Sequence, residues 1–333
     1  MLDEFYDHSR MGFAYQPWSQ YGPRVFSGKY LNVALEPNGL AVRRTINSPA
    51  TGKDQKIVKI FAFGGSTTFG SGVPDAHTWP SYLSQILNDR VRNENLDIRV
   101  EVTNYGRVGF YPTQELHLLL DILRTGQRPE LIIFLDGVNI GRDDDTPNLT
   151  PSYHRIINEA QLGSDRQWQS LPMVRLAGAI AARSEPKATP DADRPDTRVQ
   201  TEQLVERFQQ FRSSVLAISD VYGTQPVFFL QPDGHYNYPD HLYGSGKSPS
   251  SPRARAQKKE FYAGFPKDSG FVDLTGLFAE WGDRKAIMDA AHYTPNFSKF
   301  VAQKIADRIN LAELKPVKQE KVIATGIPRK QYP

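Results

Sequence analysis

The chain of 333 residues has no cysteine, which excludes disulfide bonds, thiolate metal sites and a cysteine nucleophile. It has little net charge, because 40 Lys and Arg face 37 Asp and Glu, for a formal charge of +3 at pH 7. This balance, with no basic stripe among the aromatics, argues against a nucleic-acid partner. No apolar run reaches the roughly 18 residues of a membrane span. The first ten residues, MLDEFYDHSR, are acidic and polar, unlike a signal peptide.

What the sequence has is the composition of a globular protein, with 39% hydrophobic and 23% charged residues. Residues 1–56 are rich in aromatics, are interrupted by Pro and Gly, and show no long helical period. We expect this segment to wrap around the main domain and pack against it. A surface for a sugar or for a partner is the alternative.

From residue 56 onward, apolar strand patterns alternate with amphipathic helix patterns. Such an alternation predicts an α/β fold, a three-layer α/β/α sandwich with a central, mostly parallel sheet of about five strands. The predicted strands are KIVKIFAF (56–63), IRVEVTNYG (98–106), ELIIFLDG (130–137), PVFFLQ (226–231) and GFVDLT (270–275).

Helical patterns cover residues 78–93, 112–126, 201–223 and 294–309. In the second helix we expect one inward stripe made of leucines, namely Leu116, Leu119, Leu120 and Leu123. The composition predicts an insertion at 141–197 and a loop at 244–256. The domain prediction is therefore a wrap at 1–56, a main domain at 57–310 and a C-terminal tail at 311–333.

Polar and small residues follow the predicted strands, at the edge where parallel sheets bind ligands. Ser66 follows the first strand. Asp289 and His292 are three residues apart before the last helix, so they can face the same way on one turn. Acyl transfer needs a hydroxyl, a base and a carboxylate that orients the base, which suggests Ser66, His292 and Asp289 in these roles. The alternatives are a structural or phosphate-cradling turn at Ser66 and a helix-capping pair at Asp289 and His292.

A tetrahedral oxyanion also needs hydrogen-bond donors. The candidates are the backbone N–H groups of Ser66 and Gly109, with Gly106 as a rival, and the side-chain amide of Asn139. Further candidates for lining the pocket are Gln114, Gly106, His235 and Tyr236. The stretch HYNYPDH (235–241) invites a metal interpretation, but an ordinary loop is preferred, and no metal or cofactor is expected.

The blocks FGGSTTFG, NYGRVG, DGVN and DAAH occur in an order that resembles the SGNH (GDSL-type) hydrolases, over residues 56–309. Gly65 stands where that family commonly has Asp, and Ile140 replaces the usual Asp of the third block. The resemblance implies a flavodoxin-like fold and a Ser-His-Asp acyl-enzyme mechanism without cofactor.

The activity it implies is that of a serine esterase removing a short acyl group, with a carbohydrate ester as the expected substrate. The alternatives are an O-acyltransferase acting on a saccharide or another alcohol, a lipid esterase, and a non-catalytic binding module. The subfamily with these blocks resembles bacterial proteins that often carry an N-terminal membrane anchor, so an extracytoplasmic or membrane-anchored location is the expectation.

Overall fold

The computed structural model describes residues 11–49, 55–139, 197–244, 246, 250–266 and 268–314. Its strands are β1 (Phe13–Gln16), β2 (Gln20–Pro23), β3 (Phe26–Ser27), β4 (Asn32–Leu35), β5 (Ala41–Arg43), β6 (Lys56–Gly64), β7 (Ile98–Asn104), β8 (Leu131–Asp136), β9 (Gln225–Leu230) and β10 (Phe271–Asp273). Its α-helices are α1 (Ser66–Phe69), α2 (Trp79–Asn93), α3 (Pro112–Arg124), α4 (Thr197–Tyr222), α5 (Gly234–Asn237), α6 (Pro252–Ala263), α7 (Leu277–Trp281) and α8 (Pro295–Ala306).

The main sheet has the order β10-β9-β8-β6-β7-β5-β4-β3. The five strands from β10 to β7 are parallel, and they are the five that the sequence predicted. Their carboxyl ends therefore lie along one edge, where the loops after β6, β7, β8 and β9 meet. The predicted fold class is confirmed.

The other three strands of this sheet come from the N-terminal segment and were not predicted. β5 pairs antiparallel with β7 through Arg43 and Asn104, and β4 and β3 continue the sheet outward. A buried ion pair of 2.8 Å between Arg43 and Asp75 holds β5 against the loop that precedes α2. β1 and β2 form a separate hairpin. The N-terminal segment thus extends the sheet as well as covering it.

Helices cover both faces of the sheet because alternate strand residues are apolar on both sides. Phe61 and Phe63 of β6 lie in one core, together with buried residues of α3, α4 and α6. Ile60 and Ala62 lie in the other core, with α2, α7 and α8. This second core also takes in residues after position 310, since Leu311 and Leu314 are buried there.

Two predictions about helices are wrong in part. Leu116 is only half-buried and Leu120 is 39% exposed, because α3 instead buries Leu118 and Ile122 beside Leu119 and Leu123. The loop predicted at 244–256 ends early, since α6 begins at Pro252 and its N-cap Ser251 accepts a hydrogen bond from the N–H of Ala254. The insertion predicted at 141–197 lies outside the described residues except for Thr197.

No helix in the described ranges has both the length and the apolar character needed to cross a membrane.

Candidate active site

Ser66 is the first residue of α1, directly after the carboxyl end of β6. The next two residues fix this short helix to its surroundings. The Thr67 hydroxyl donates to Gln231 Oε1 at 2.7 Å, which ties α1 to the end of β9. Thr68 accepts from Trp79 Nε1 at 3.2 Å through its hydroxyl and from Asn104 Nδ2 at 2.8 Å through its carbonyl. Ser66 itself is half-buried and stands at the edge where the strands end.

Asp289 and His292 lie in a turn closed by the antiparallel bridge between Ile287 and Tyr293. Asp289 Oδ1 accepts the backbone N–H groups of Ala291 and His292, each at 2.9 Å. Its Oδ2 lies 2.6 Å from His292 Nδ1, so the carboxylate holds the ring by one nitrogen. The other nitrogen, Nε2, lies 2.8 Å from Ser66 Oγ. The three residues therefore form one continuous hydrogen-bonded chain.

The surroundings of Asp289 keep it ionised. Partial burial raises the pKa of its carboxyl, but the hydrogen bond and charge of His292 and the two backbone N–H groups outweigh this. The net effect lowers the pKa well below its usual value. Asp289 therefore presents a negative charge to the His292 ring.

Asn139 and the loop that follows Gly109 meet beside Gly65, the residue before Ser66. Asn139 is buried, and its Nδ2 donates to the carbonyl of Phe110 at 2.8 Å. Phe110 follows Gly109, which has the positive φ of 80° that favours glycine. A Cβ on Gly65 would lie 2.2 Å from Asn139 Nδ2 and 3.3 Å from the Phe110 carbonyl. This contact gives a physical reason for glycine at position 65.

The other predicted residues have contacts of their own. The N–H of Gly106 donates to Asn104 Oδ1 at 2.9 Å, and a Cβ there would meet the backbone of α1. Gln114 is buried under the β1–β2 hairpin, where its Nε2 donates to Gln20 Oε1 at 3.0 Å. His235 lies on α5 and hydrogen-bonds to Ser250. Tyr236 packs against Tyr262 at 4.8 Å between ring centroids.

The acidic and histidine residues of the 235–241 stretch have separate partners. Asp240 pairs with Arg255, and His241 Nε2 lies 3.6 Å from Asp283. Among the residues that the structure describes, no group of three or more His, Cys, Asp or Glu side chains could hold a metal ion.

Two buried clusters near the site were not predicted. The first joins Lys258 of α6 to Asp233 after β9 at 3.1 Å, and Tyr262 also donates to Asp233 at 3.1 Å. Burial alone would raise the pKa of Asp233, but the charge of Lys258 lowers it overall. The one sequence signal was the Ser251-Pro252 pair, a typical helix start that could have placed Lys258 on a helix.

The second cluster is a pair of carboxyl groups, Glu115 of α3 and Asp136 at the end of β8. Both are buried, and each affects the pKa of the other. Burial raises the pKa of each, and the proximity of Asp136 raises that of Glu115 further. The pair therefore retains a proton in a range where ordinary carboxyls have lost theirs.

No model of a protein family matches the chain, and no curated protein sequence matches it. Several solved structures are similar to it. One, described as a lipolytic protein of the G-D-S-L family from Desulfitobacterium hafniense, is 15% identical with a TM-score of 0.40, covering 75% of this chain and 98% of that one. The psychrotrophic esterase EstA from Pseudoalteromonas is 12% identical with a TM-score of 0.36, covering 75% and 94%.

An acetyl xylan esterase from Geobacillus stearothermophilus is 12% identical with a TM-score of 0.36, covering 76% and 94% of the two chains. At such identities and TM-scores these structures carry no information about what this chain binds or catalyses. Function has to be inferred from the geometry of the site.

Proposed function

We propose that the protein is a serine ester hydrolase that acts through an acyl-enzyme. The observation that supports this most directly is the chain of hydrogen bonds from Asp289 through His292 to Ser66, with distances of 2.6 and 2.8 Å. A serine hydroxyl is a weak nucleophile until a base removes its proton, and His292 Nε2 is within reach of that proton.

In the first half of the reaction, Ser66 Oγ attacks the ester carbonyl carbon while His292 takes the hydroxyl proton. The tetrahedral intermediate then collapses, the C–O bond to the alcohol breaks, and His292 returns the proton to the leaving oxygen. Asp289 stays ionised and stabilises the imidazolium between these steps. In the second half, water attacks the acyl carbon while His292 takes a proton from it. The C–O bond to Ser66 then breaks, His292 returns the proton to Ser66 Oγ, and the carboxylic acid leaves.

The negative oxygen of each intermediate needs donors in place before it forms. We assign this role to Asn139 Nδ2 and to the N–H groups of Ser66 and Gly109. Ser66 is the first residue of α1, so its N–H has no partner within the helix. The assignment of Asn139 is supported by its closeness to Gly65, the residue before Ser66, since a Cβ on Gly65 would lie 2.2 Å from Asn139 Nδ2.

A carbohydrate ester is the substrate class that we propose. Tyr15 and Trp18 of the β1–β2 hairpin are 54% and 70% exposed, and their flat faces are suited to stacking on a sugar ring. The hairpin lies close to the site, because the Tyr21 hydroxyl donates to the carbonyl of Val108 at 2.9 Å, one residue before Gly109.

The test is to measure initial rates on p-nitrophenyl esters from acetyl to palmitoyl and on glucose pentaacetate. We expect turnover of the short esters by the native chain. Ser66→Ala should lose on the order of 10⁶-fold in kcat, since only binding and the oxyanion donors remain. Ser213→Ala, which changes an exposed serine of α4, is the matched control and should keep the native rate.

Full activity of Ser66→Ala would show that the mechanism is wrong. An inactive native chain that becomes active when an acceptor sugar is added would identify an acyltransferase instead.

A further inference from the structure

Lys258 is a mostly buried lysine of α6 whose side chain is 15% exposed. Its Nζ donates to the carbonyls of Gly137 and Val138 at 2.7 and 2.8 Å, and it lies 3.1 Å from Asp233 Oδ2. An ammonium group has three donors, so it can serve all three of these acceptors. Buried lysines are uncommon unless they are paired, and here two of these acceptors are backbone groups of a single loop.

That loop carries Asn139. Gly137 and Val138 connect the end of β8 to Asn139, so their carbonyl directions set where the Asn139 amide points. This loop is tightly packed against Tyr262 of α6. Gly137 has a φ of +147°, and a Cβ there would lie 2.4 Å from the Tyr262 hydroxyl. Lys258 thus fixes the two peptide units just before the proposed oxyanion donor.

Asp233, the other partner of Lys258, belongs to the segment that supports the Asp289–His292 turn. Gly234 packs directly on that turn, since a Cβ there would lie 2.3 Å from the carbonyl of Ala290. The Tyr293 hydroxyl donates to the carbonyl of Pro232 at 2.7 Å, which makes a second link. The residues on both sides of Asp233 therefore touch the turn that holds His292.

We infer that Lys258 is a positioning residue that holds the Asn139 loop and the His292 turn in register with each other. The inference rests on the proposed function for the roles of the two loops. The competing explanation is that Lys258 only neutralises the buried charge of Asp233. The two can be separated, because only the first requires the hydrogen bonds to the Gly137 and Val138 carbonyls.

The variants are Lys258→Met, the double variant Asp233→Asn with Lys258→Met, and Lys259→Met as the matched control on an exposed neighbour. Lys258→Met alone leaves a buried carboxylate without its counter-charge, which lowers stability. The double variant removes both charges, while the new amide at position 233 keeps an oxygen for the N–H of His235 and gains a donor for the Tyr262 hydroxyl. It should therefore recover most of the lost Tm.

Three quantities are measured for each variant: Tm, the steady-state constants on p-nitrophenyl acetate, and amide hydrogen exchange in peptides covering Gly137–Asn139 and Asp289–His292. For the double variant we expect kcat to fall about 10²-fold, the usual cost of a small misplacement at a reacting centre. KM should stay within about threefold, because ground-state binding is not the property removed. Exchange should become faster in both peptides and remain unchanged elsewhere.

A double variant that recovers both Tm and kcat, with native exchange in the two peptides, would overturn the inference and leave charge neutralisation as the role of Lys258. Failure of both Lys258 variants to fold, with a native Lys259→Met, would also overturn it, by assigning Lys258 to global stability. The exchange data show whether Lys258 holds the two loops even if the native chain proves inactive on esters. Inactivity of the native chain would refute the proposed function separately.

Discussion

At the scale of single residues, Gly65 has no room for a side chain. A Cβ at this position would come within 2.2 Å of Asn139 Nδ2, so either the amide or α1 has to move. We predict that Gly65→Ala lowers kcat on p-nitrophenyl acetate by roughly 10²- to 10³-fold, the effect of losing one oxyanion donor. Its Tm should change far less, because the clash involves one side chain at the edge of the core.

The matched control is Gly276→Ala, where an added Cβ has no neighbour within 4 Å and φ is −73°. This variant should keep the native kcat. If Gly65→Ala is as active as the control, the Asn139 amide does not act as an oxyanion donor in its described position.

Residue-level prediction from sequence was most successful where a motif has fixed spacing. Asp289 and His292 were expected to face the same way because they are three residues apart, and the structure joins them to Ser66. Their catalytic roles stay predictions. Gln114 was chosen for its closeness in sequence to Gly109, but its side chain points to the hairpin. The helix start at Ser251-Pro252 could have placed Lys258 on a helix, but its contacts with distant backbone carbonyls leave no pattern in the sequence.

At the scale of elements, α6 depends on its N-cap. Ser251 accepts the N–H of Ala254 at 3.2 Å and Pro252 occupies the first turn, yet the residues before them are rich in Gly, Ser and Pro. We predict that Ser251→Ala lowers the free energy of unfolding by about 0.5–2 kcal/mol, because one N–H of the first turn loses its acceptor. Denaturant unfolding measures this change.

Ser251→Asp is the matched control for the cap. Aspartate accepts the same hydrogen bond, so this variant should stay within a few tenths of a kcal/mol of the native protein. Equal destabilisation by Ala and Asp would show that Ser251 stabilises α6 in some other way.

The elements that sequence predicted well are those whose signal is local. The five parallel strands contain apolar runs that would be buried in any α/β sheet. β3, β4 and β5 have only two to four residues each, and pairing with neighbours determines them. In α3, consecutive leucines make several helical stripes equally apolar. The face of α3 that packs against the core also buries Glu115. Tertiary contacts determine which face is buried, and hydrophobic periodicity alone could not reveal it.

At the scale of the whole molecule, four carboxyl groups with shifted pKa values make stability depend on pH in two opposite ways. Asp233 and Asp289 have lowered pKa values, so their contribution is present above the ordinary carboxyl pKa and is lost as pH falls through their folded values. Glu115 and Asp136 have raised pKa values, so the folded state binds more protons than the unfolded chain. Their effect is to lower the free energy of unfolding as pH rises above the ordinary carboxyl pKa.

Asp136→Asn removes one of the two titrating groups of this pair and keeps the shape of its protonated form. We predict that the variant becomes more stable than the native protein between about pH 5 and pH 8, by about 1.4 kcal/mol for each unit by which burial raises the native pKa. Thermal unfolding across this pH range is the measurement. Asp268→Asn, at an exposed position, should follow the native curve. A variant that tracks the native curve throughout would mean that the pair titrates normally in the folded protein.

The hydrogen bond between Ser66 and His292 joins residues 226 positions apart in the chain. A ribosome adds about 5–20 residues each second, so it makes the proposed nucleophile roughly 10 to 45 seconds before the proposed base. Throughout that interval the nascent chain carries a serine without the base that would activate it. A product truncated before Asp289 would be equally inert. Under the proposed mechanism, reactivity therefore arrives late in synthesis, just ahead of α8.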